Sequence, residues 1–189
     1  MSLEVRDPIH GAIVVDPPEV SILDHPFVQR LRGIKQMGFS ELPFPGAVHS
    51  RYIHAVGVMH LAGRAFDAAF ANHEFSSVEK RAVYRRCVRL AGLLHDLGHA
   101  PFSHCTEFAM PPLADLGITV YRTKEVRRAS HEDYTIAILT RSDLAHRIDD
   151  SQPFTARHVA ALISREVVLE DDFFVDGGLD VRQVLSQLV

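Results

Sequence analysis

The segment LAGLLHDLGH, residues 90–99, constrains the fold of this chain more than any other stretch. Leu90–Leu94 carry no polar side chain, whereas the residues before them mix arginines with apolar side chains at helical spacing. This pattern predicts a helix over residues 77–99 that is amphipathic at its start and buried at its end. An ionised aspartate among leucines is costly unless it is paired or binds a metal, so the sequence predicts a partner for Asp96.

Histidines are the candidates for that partner. The chain has 12 of them, and histidine is the commonest metal ligand and the side chain that titrates near neutral pH. In a continuous helix, His95 and His99 would share one broad face with Asp96. Upstream, the string HSRYIH brings His54 into another long apolar segment. Two imidazoles and a carboxylate suit Fe, Mn, Zn or Ni better than Ca, and open coordination positions allow a bound water to be activated. The alternative is an Asp–His ion pair that only stabilises the fold.

The rest of the chain predicts a mainly helical protein. Near the N-terminus, AIVV (12–15) is typical of a short strand or hairpin arm. Ser130 and Asp133 form a capping-box pattern that opens a helix with His131 in its first turn. Apolar periodicity, with irregular segments between, predicts helices over residues 26–37, 51–71, 77–99, 130–141, 155–168 and 181–188.

Composition limits the classes of protein. A chain of 189 residues, 47% hydrophobic and 23% charged, is typical of one globular domain. The net charge of −4 makes a nucleic-acid partner unlikely, so we predict that Arg81, Arg85 and Arg89 form a solvated helix face. Cys87 and Cys105 form no CxxC pair, which favours a reducing, cytoplasmic location. No apolar run is long enough to span a bilayer, so no membrane partner is expected.

Five short strings occur in an order typical of one family. The chain resembles the HD-domain metal-dependent phosphohydrolases, and among them the deoxynucleoside triphosphate triphosphohydrolases. The resemblance implies an all-α HD-domain fold, here with a short N-terminal β hairpin or strand, and hydrolysis of a dNTP to deoxynucleoside and tripolyphosphate. The strings that carry it are DPIHG (7–11), QRLRGIKQMG (29–38), FPGAVHSRYIHAVGVMHLA (44–62), AGLLHDLGHAPFSH (91–104) and SHED (130–133).

The resemblance also implies roles for individual residues. His54, His95 and Asp96 correspond to the metal ligands, and the expected cofactor is a divalent transition metal (Fe, Mn, Ni or Zn), with Mg as a further candidate. The expected partners are a deoxynucleoside triphosphate or related nucleotide and, as in relatives, further copies of the chain in a homo-oligomer. Further correspondences give catalytic roles to His99, His131 and Glu107, and substrate-binding roles to Gln36, Met37, Arg51 and His104.

One family feature is missing from the sequence. Family members carry a fourth metal ligand, an aspartate, soon after a segment that resembles VLSQLV, and this chain ends at Val189 inside that segment. We therefore expect a single HD domain over residues 1–189 that is truncated before the fourth ligand. Two alternatives stay open, namely another HD-superfamily nucleotidase or phosphodiesterase and a truncated, non-catalytic nucleotide-binding module.

Overall fold

Two long helices that pack against each other, α3 (Arg51–Ala69) and α4 (Val78–Leu94), form the centre of the fold. The computed structural model describes residues 2–123 and 125–189. Apart from two small antiparallel hairpins, the regular structure is helical, which confirms the predicted fold class. The strands are β1 (Leu3–Asp7), β2 (Gly11–Val15), β3 (Val175–Asp176) and β4 (Leu179–Asp180), and the helices are α1 (Pro17–Leu23), α2 (Pro26–Gln29), α3 (Arg51–Ala69), α4 (Val78–Leu94), α5 (His131–Arg141), α6 (Asp143–Ser151), α7 (Ala156–Ile163) and α8 (Arg182–Ser186).

Small residues allow α3 and α4 to approach closely. A Cβ atom on Gly92 would lie 3.2 Å from the Cβ of Ala62 and 3.2 Å from the carbonyl oxygen of Val58. A larger side chain at position 92 would therefore push the two helices apart. Leu90–Leu94, at the end of α4, are buried, as the apolar pattern predicts.

The N-terminal strand prediction is confirmed as a hairpin. Strands β1 and β2 pair from Leu3 with Val15 to Asp7 with Gly11. The Asp7 carboxylate accepts the backbone N–H groups of Ile9 and His10 at 2.8 and 2.7 Å. Gly11, at φ +73°, completes the reversal of the chain. Ile13 and Val15 on β2 are buried in the core, so the hairpin packs on the helices through one face.

Several predicted helix boundaries were wrong. The helix predicted over residues 26–37 is α2 followed by a 3-10 helix over Arg30–Gly33, after which Ile34 turns extended. The backbone then pairs at Lys35 with Ser50, directly before α3. Helix α4 ends at Leu94 rather than 99, α7 at Ile163 rather than 168, and the last helix is Arg182–Ser186. Helices α1 and α6 were not predicted, and the segment 100–129 contains 3-10 helices over Ser103–Ala109 and Leu113–Leu116.

The prediction of a solvated arginine face on α4 was also wrong. Arg89 is buried and its guanidinium pairs with the fully buried carboxylate of Glu19 on α1. Arg85 and Arg81 are half-buried and both lie against Asp67 on α3. These arginines therefore tie α4 to two other helices. Arg89 binds α1 through Glu19, and Arg81 and Arg85 bind α3 through Asp67.

Two composition-based predictions concern the cysteines and the membrane. Cys87 is buried, Cys105 is exposed and both are free thiols, as predicted. Within residues 2–123 and 125–189, no helix has the length and apolar character that crossing a bilayer requires.

Candidate metal centre and catalytic site

His54, His95 and Asp96 converge on one point. The Nε2 atom of His54 lies 3.6 Å from Oδ2 of Asp96, and the Nε2 atom of His95 lies 3.3 Å from Oδ1. The candidate ligand atoms of the three residues all lie within 4.8 Å of one another. One carboxylate and two imidazoles at this separation fit a divalent transition metal better than Ca²⁺. The structure thus brings together the three predicted ligands from α3 and from the turn after α4.

The two histidines turn a ring nitrogen toward Asp96. Nδ1 of His95 donates to the carbonyl oxygen of Gly92 at 2.8 Å, which orients the ring with Nε2 toward Asp96. Burial lowers the pKa of His54, although the nearby Asp96 opposes this effect. A neutral imidazole keeps the lone pair that a metal ion requires.

Asp96 is buried and ionised. Burial alone would raise the pKa of this carboxyl, but the hydrogen bond from His99 and the charges of His95 and Arg51 hold it well below its usual range. The Arg51 guanidinium donates to Oδ2, and Nε2 of His99 lies 3.4 Å from Oδ1. The partner that the sequence requires for Asp96 is therefore a set of groups rather than one residue.

The turn that carries His95, Asp96 and His99 is held by residues that the sequence analysis did not single out. Arg30 donates to the carbonyl oxygen of Leu97 at 2.9 Å and to that of His99. Because these carbonyls bind a side chain from the 3-10 helix after α2, the chain leaves the helical path at the end of α4. No local sequence signal predicts this contact, since the bonded residues lie 67 and 69 positions apart.

Thr135 and Gly98 fix the same turn against α5. The Thr135 hydroxyl donates to the carbonyl oxygen of His95 at 3.0 Å and accepts the N–H of Gly98 at 2.9 Å. A Cβ atom on Gly98 would lie only 1.9 Å from the carbonyl oxygen of His131. Glycine at this position therefore lets the first turn of α5, with His131, lie directly beside the candidate metal ligands.

His99, His104 and His131 form a compact cluster beside the candidate ligands. The rings of His99 and His131 stack with centroids 3.8 Å apart, and the His104 ring meets both edge-on at 5.0 and 4.9 Å. Burial lowers the pKa of His99, as do the charges of His131 and Arg51, while Asp96 opposes them. Nδ1 of His131 hydrogen-bonds the carboxylate of Glu107. The structure thus joins His131 and Glu107, which lie 24 positions apart, in an imidazole–carboxylate pair.

The capping box that presents His131 is confirmed. Ser130 caps α5 by accepting the N–H of Asp133, and the Asp133 carboxylate accepts the N–H of Ser130 at 2.7 Å. Arg127 and Tyr121 also donate to Asp133. These bonds fix the direction in which the chain enters α5, and with it the position of the His131 ring.

Arg51 connects the candidate ligands with the other predicted substrate residues. Its guanidinium reaches both Asp96 and Ser103, and Ser103, at φ +56°, also lies 3.4 Å from Nδ1 of His99. The buried Nε of Arg51 and the buried Oε1 of Gln36 have no hydrogen-bond partner within the described residues. Such groups are costly to leave unpaired, so they mark a place where a bound molecule would complete the bonding.

Gln36 and Met37 lie in the segment that runs beside the residues directly before α3. The backbone N–H of Gln36 donates to His49 at 3.0 Å, and the neighbouring Lys35 pairs with Ser50. Met37 follows with an exposed side chain. A recess of 180 Å³ opens beside the candidate ligands; a larger recess of 440 Å³, near residues 113–125, shares none of its lining. The smaller recess is lined by His95, Asp96, His131, Glu132, Leu162, Ile163, Ser186 and Val189.

Comparison with known proteins decides the family. The HD-domain family profile matches residues 51–170, a span that includes both predicted histidine motifs. The chain belongs to the HD-domain family. The matched span contains the whole His54–His95–Asp96 group, with His54 on α3 and the other two residues in the turn after α4.

Several curated relatives of this HD domain are deoxynucleoside triphosphate triphosphohydrolases. The chain is 47% identical over 109 residues to SAMHD1 of Xenopus laevis, which covers 58% of this chain and 17% of that protein. It is 34% identical over 159 residues to the SAMHD1 homolog of Dictyostelium discoideum, which covers 84% of this chain and 29% of that protein. The chain therefore spans well under a third of the length of these relatives.

A solved structure supports the same fold. A hypothetical protein from Aquifex aeolicus matches with a TM-score of 0.66 and 27% sequence identity. The match covers all of this chain and 42% of that protein. The helical arrangement described above thus also occurs in a solved structure.

Proposed function

We propose that this HD domain is the catalytic part of a metal-dependent phosphohydrolase that cleaves a deoxynucleoside triphosphate into deoxynucleoside and inorganic tripolyphosphate. The observation that carries the proposal is the position of Asp96. Its carboxylate belongs to the candidate ligand group with His54 and His95, and also to a second group with His99 and His131. A metal-binding group and proton-carrying histidines thus meet at one residue. The similarity to SAMHD1 proteins supports the choice of substrate.

His54, His95 and Asp96 would hold the metal. A divalent transition metal bound there supplies Lewis-acid activation of water and neutralises phosphate charge. Fe, Mn, Ni or Zn fits the two imidazoles better than Mg, which prefers oxygen ligands. Three protein ligands leave coordination positions open for water and substrate.

His131 is proposed to move protons. Its Nδ1 binds the Glu107 carboxylate, so the carboxylate fixes the ring orientation and leaves Nε2 free to exchange a proton. The hydrogen bond and charge of His131 hold the pKa of Glu107 below its usual range, against the opposing effect of burial. Glu107 therefore stays ionised and stabilises the imidazolium that forms when His131 accepts a proton.

Arg51, His99 and His104 are proposed to bind the phosphates. Arg51 has a buried Nε without a partner, and a phosphate oxygen would supply the missing acceptor. His104 is largely exposed beside the buried His99, so its ring is accessible to the outer phosphate groups. Together these groups would stabilise negative charge as the bond to the 5′-oxygen breaks.

Gln36 and Met37 are proposed to contact the sugar and base. The unpartnered Oε1 of Gln36 would accept a hydrogen bond from a deoxyribose hydroxyl. The exposed Met37 offers an adaptable apolar surface for a base. The same proposal places the protein in the cytoplasm, a location that its free thiols support, and keeps a homo-oligomer as the expected assembly.

Product analysis tests the reaction. The chain is incubated with dATP and Mn²⁺, and the products are separated by ion-exchange chromatography. We expect deoxyadenosine and tripolyphosphate in equal amounts, with a loss of at least about 100-fold in His131→Ala and no change in His146→Ala, a control on the exposed face of α6. Release of mono- or diphosphate instead supports a nucleotidase or phosphodiesterase. Nucleotide binding without turnover supports a non-catalytic module.

Metal analysis tests the ligand set separately. The purified chain is loaded with Mn²⁺, dialysed and examined by inductively coupled plasma mass spectrometry. We expect about one metal ion per chain, with metal affinity at least about tenfold lower in His54→Ala and unchanged in His146→Ala. Equal metal content in wild type and His54→Ala would contradict the assignment.

A further inference from the structure

Three arginines from separate segments meet at one recess beside the candidate metal centre. Arg122 precedes α5, Arg165 lies in the turn after α7, and Arg182 begins α8. They line a recess of 330 Å³, here called the arginine recess, together with Asp180, Gln183 and Ser186. The three segments are 17 or more positions apart, so only the tertiary structure brings these charges together.

The backbone holds these arginines in place. The N–H of Arg122 donates to the carbonyl oxygen of Glu166 at 2.7 Å, and that of Val168 donates to Val120 at 2.8 Å. This short ladder fixes Arg122 next to the turn that carries Arg165. Backbone hydrogen bonds between the segments that carry Arg122 and Arg165 therefore hold one side of the recess together.

Arg182 is anchored through its side chain. Its Nε donates to the carbonyl oxygen of Ala161, and its Nη2 donates to Ala161, Ser164 and Val167 at distances from 2.8 to 3.3 Å. Carbonyl oxygens satisfy these N–H groups but do not neutralise the charge. The Nη1 group makes no hydrogen bond within the described residues, so it remains available to a ligand.

The recess has an excess of positive charge. Three guanidinium groups face one carboxylate, Asp180, which already accepts the backbone N–H of Arg182 at 2.9 Å. In residues 2–123 and 125–189, the guanidinium groups of Arg122 and Arg165 have neither a hydrogen-bond nor an ion-pair partner. Burial and the like charge of Arg122 lower the pKa of Arg182, while the charge of Asp180 opposes them.

Several other arginines are paired with carboxylates. Arg127 binds Asp133 and Glu125, and Arg85 binds Asp67. The chain has 24 acidic and 20 basic residues, so a general excess of basic side chains does not explain the arginine cluster of the recess. A phosphate oxyanion matches the donors, because guanidinium groups bind it through two parallel hydrogen bonds.

The location favours a small ligand over a nucleic acid. Ser186 lines both the arginine recess and the recess that contains His95 and Asp96. The two recesses are therefore neighbours at the short helix α8. The acidic residues 170–172 precede β3, and Asp171 lines a neighbouring recess that also contains Arg122 and Arg182. These carboxylates would repel an extended phosphodiester backbone but leave room for a compact anion.

We propose that the arginine recess is a second anion site, which binds the phosphate groups of an oligophosphate, free or as part of a nucleotide, beside the candidate metal centre. The proposal does not depend on the reaction proposed above. Arg122 and Arg165 would form the outer contacts, and Nη1 of Arg182 the inner one. Bound phosphate would also relieve the repulsion between the fixed charges of Arg122 and Arg182.

The test is calorimetric titration of inorganic tripolyphosphate into the metal-free chain, prepared with EDTA and then dialysed. We expect saturable binding that is weakened at least about tenfold in Arg122→Ala/Arg165→Ala, since two charge-assisted contacts are lost. Arg147→Ala on the exposed face of α6 is the matched arginine control, and Arg51→Met reports any binding at the metal centre. Arg147→Ala should keep the wild-type affinity, Arg51→Met should lose any phosphate binding at the metal centre but keep saturable binding at the arginine recess, and thermal melts should show that all variants are folded.

Three results would overturn the proposal. They are absence of saturable binding, equal affinity in wild type and Arg122→Ala/Arg165→Ala, and an affinity that depends on Arg51 alone. Tighter binding of a single-stranded deoxyoligonucleotide than of tripolyphosphate would replace it with a nucleic-acid site. A parallel titration with dATP distinguishes the sources of phosphate. Equal affinities for dATP and tripolyphosphate would show that the site recognises only the phosphate groups. A higher affinity for dATP would identify a nucleotide as the ligand.

Discussion

Among residues 2–123 and 125–189, two arginine–carboxylate pairs are buried, and they differ in how completely their hydrogen bonds are made. Glu19 and Arg89 form a two-point contact, and Arg89 also donates to the carbonyl oxygen of Val14. The second carboxylate oxygen of Glu19 also accepts the N–H of Asp16 at 3.0 Å, so this pair is closed. Arg51 and Asp96 form the other pair, in which the Nε of Arg51 has no partner in the described residues.

The difference separates a structural pair from a functional one. The Glu19–Arg89 pair lines none of the recesses described above and ties α1 to α4, so its effect is on stability. Asp96 lies between Arg51 and three histidines and is part of the lining of a recess. The unmade bonds at Arg51 and the shared carboxylate at Asp96 keep this pair open to a metal and a ligand, at a cost in stability.

The largest expected effect comes from breaking each pair on the arginine side. Arg89→Met leaves Glu19 buried without its partner and should lower the free energy of unfolding by about 3–5 kcal/mol. Arg51→Met should cost only about 1–3 kcal/mol, because Asp96 keeps its histidine partners. Urea denaturation followed by circular dichroism measures both values. Arg89→Met/Glu19→Leu should recover part of the loss, and equal losses in the two single variants would contradict the comparison.

A smaller effect is expected from pH at the open pair. Burial lowers the pKa of His99 below its unfolded value of 6.5, so protonation favours the unfolded chain. The stabilising contribution of neutral His99 is thus fully present above that value and is lost as pH falls through the lower folded pKa. Asp96 does not contribute in this window, because its lowered pKa keeps it ionised.

The pH effect is measured on the metal-free chain by urea denaturation between pH 7.5 and 5.5. Stability should fall with pH, and His99→Gln should flatten this dependence because glutamine does not titrate. His146→Gln, on the exposed face of α6, should leave the slope unchanged. A slope in His99→Gln that matches the wild type would show that His99 is not the group responsible.

The smallest effect on stability is expected for Arg85, which lies one helical turn before Arg89. Arg85 binds Asp67 through Nε and Nη2, but both side chains are about one-third or more exposed. Solvent screens such a pair, so Arg85→Ala should change the free energy of unfolding by at most about 1 kcal/mol. A loss as large as that of Arg89→Met would mean that burial does not distinguish the arginines of α4.

Sequence patterns predicted the residues of the candidate site better than the backbone that carries them. His54, His95 and Asp96 were chosen from motif and spacing, and the structure brings them together. Their roles, and those of His99, His131 and Glu107, stay predictions. The sequence also predicted the capping box at Ser130 and the buried end of α4. Arg30, Ser103 and Thr135 were missed, because their contacts join residues far apart in the chain or depend on one backbone conformation.

By itself, the sequence determined the helical class, the N-terminal strand and a buried aspartate that requires cationic partners. These features follow from apolar periodicity and from the cost of burying charge, which are local properties. Only the tertiary structure decided that α4 ends at Leu94, that Arg89 is buried on Glu19, and that three arginines meet beside Ser186. Each of these depends on a hydrogen bond or a charge supplied from a distant segment, and such partners exist only once the helices have packed.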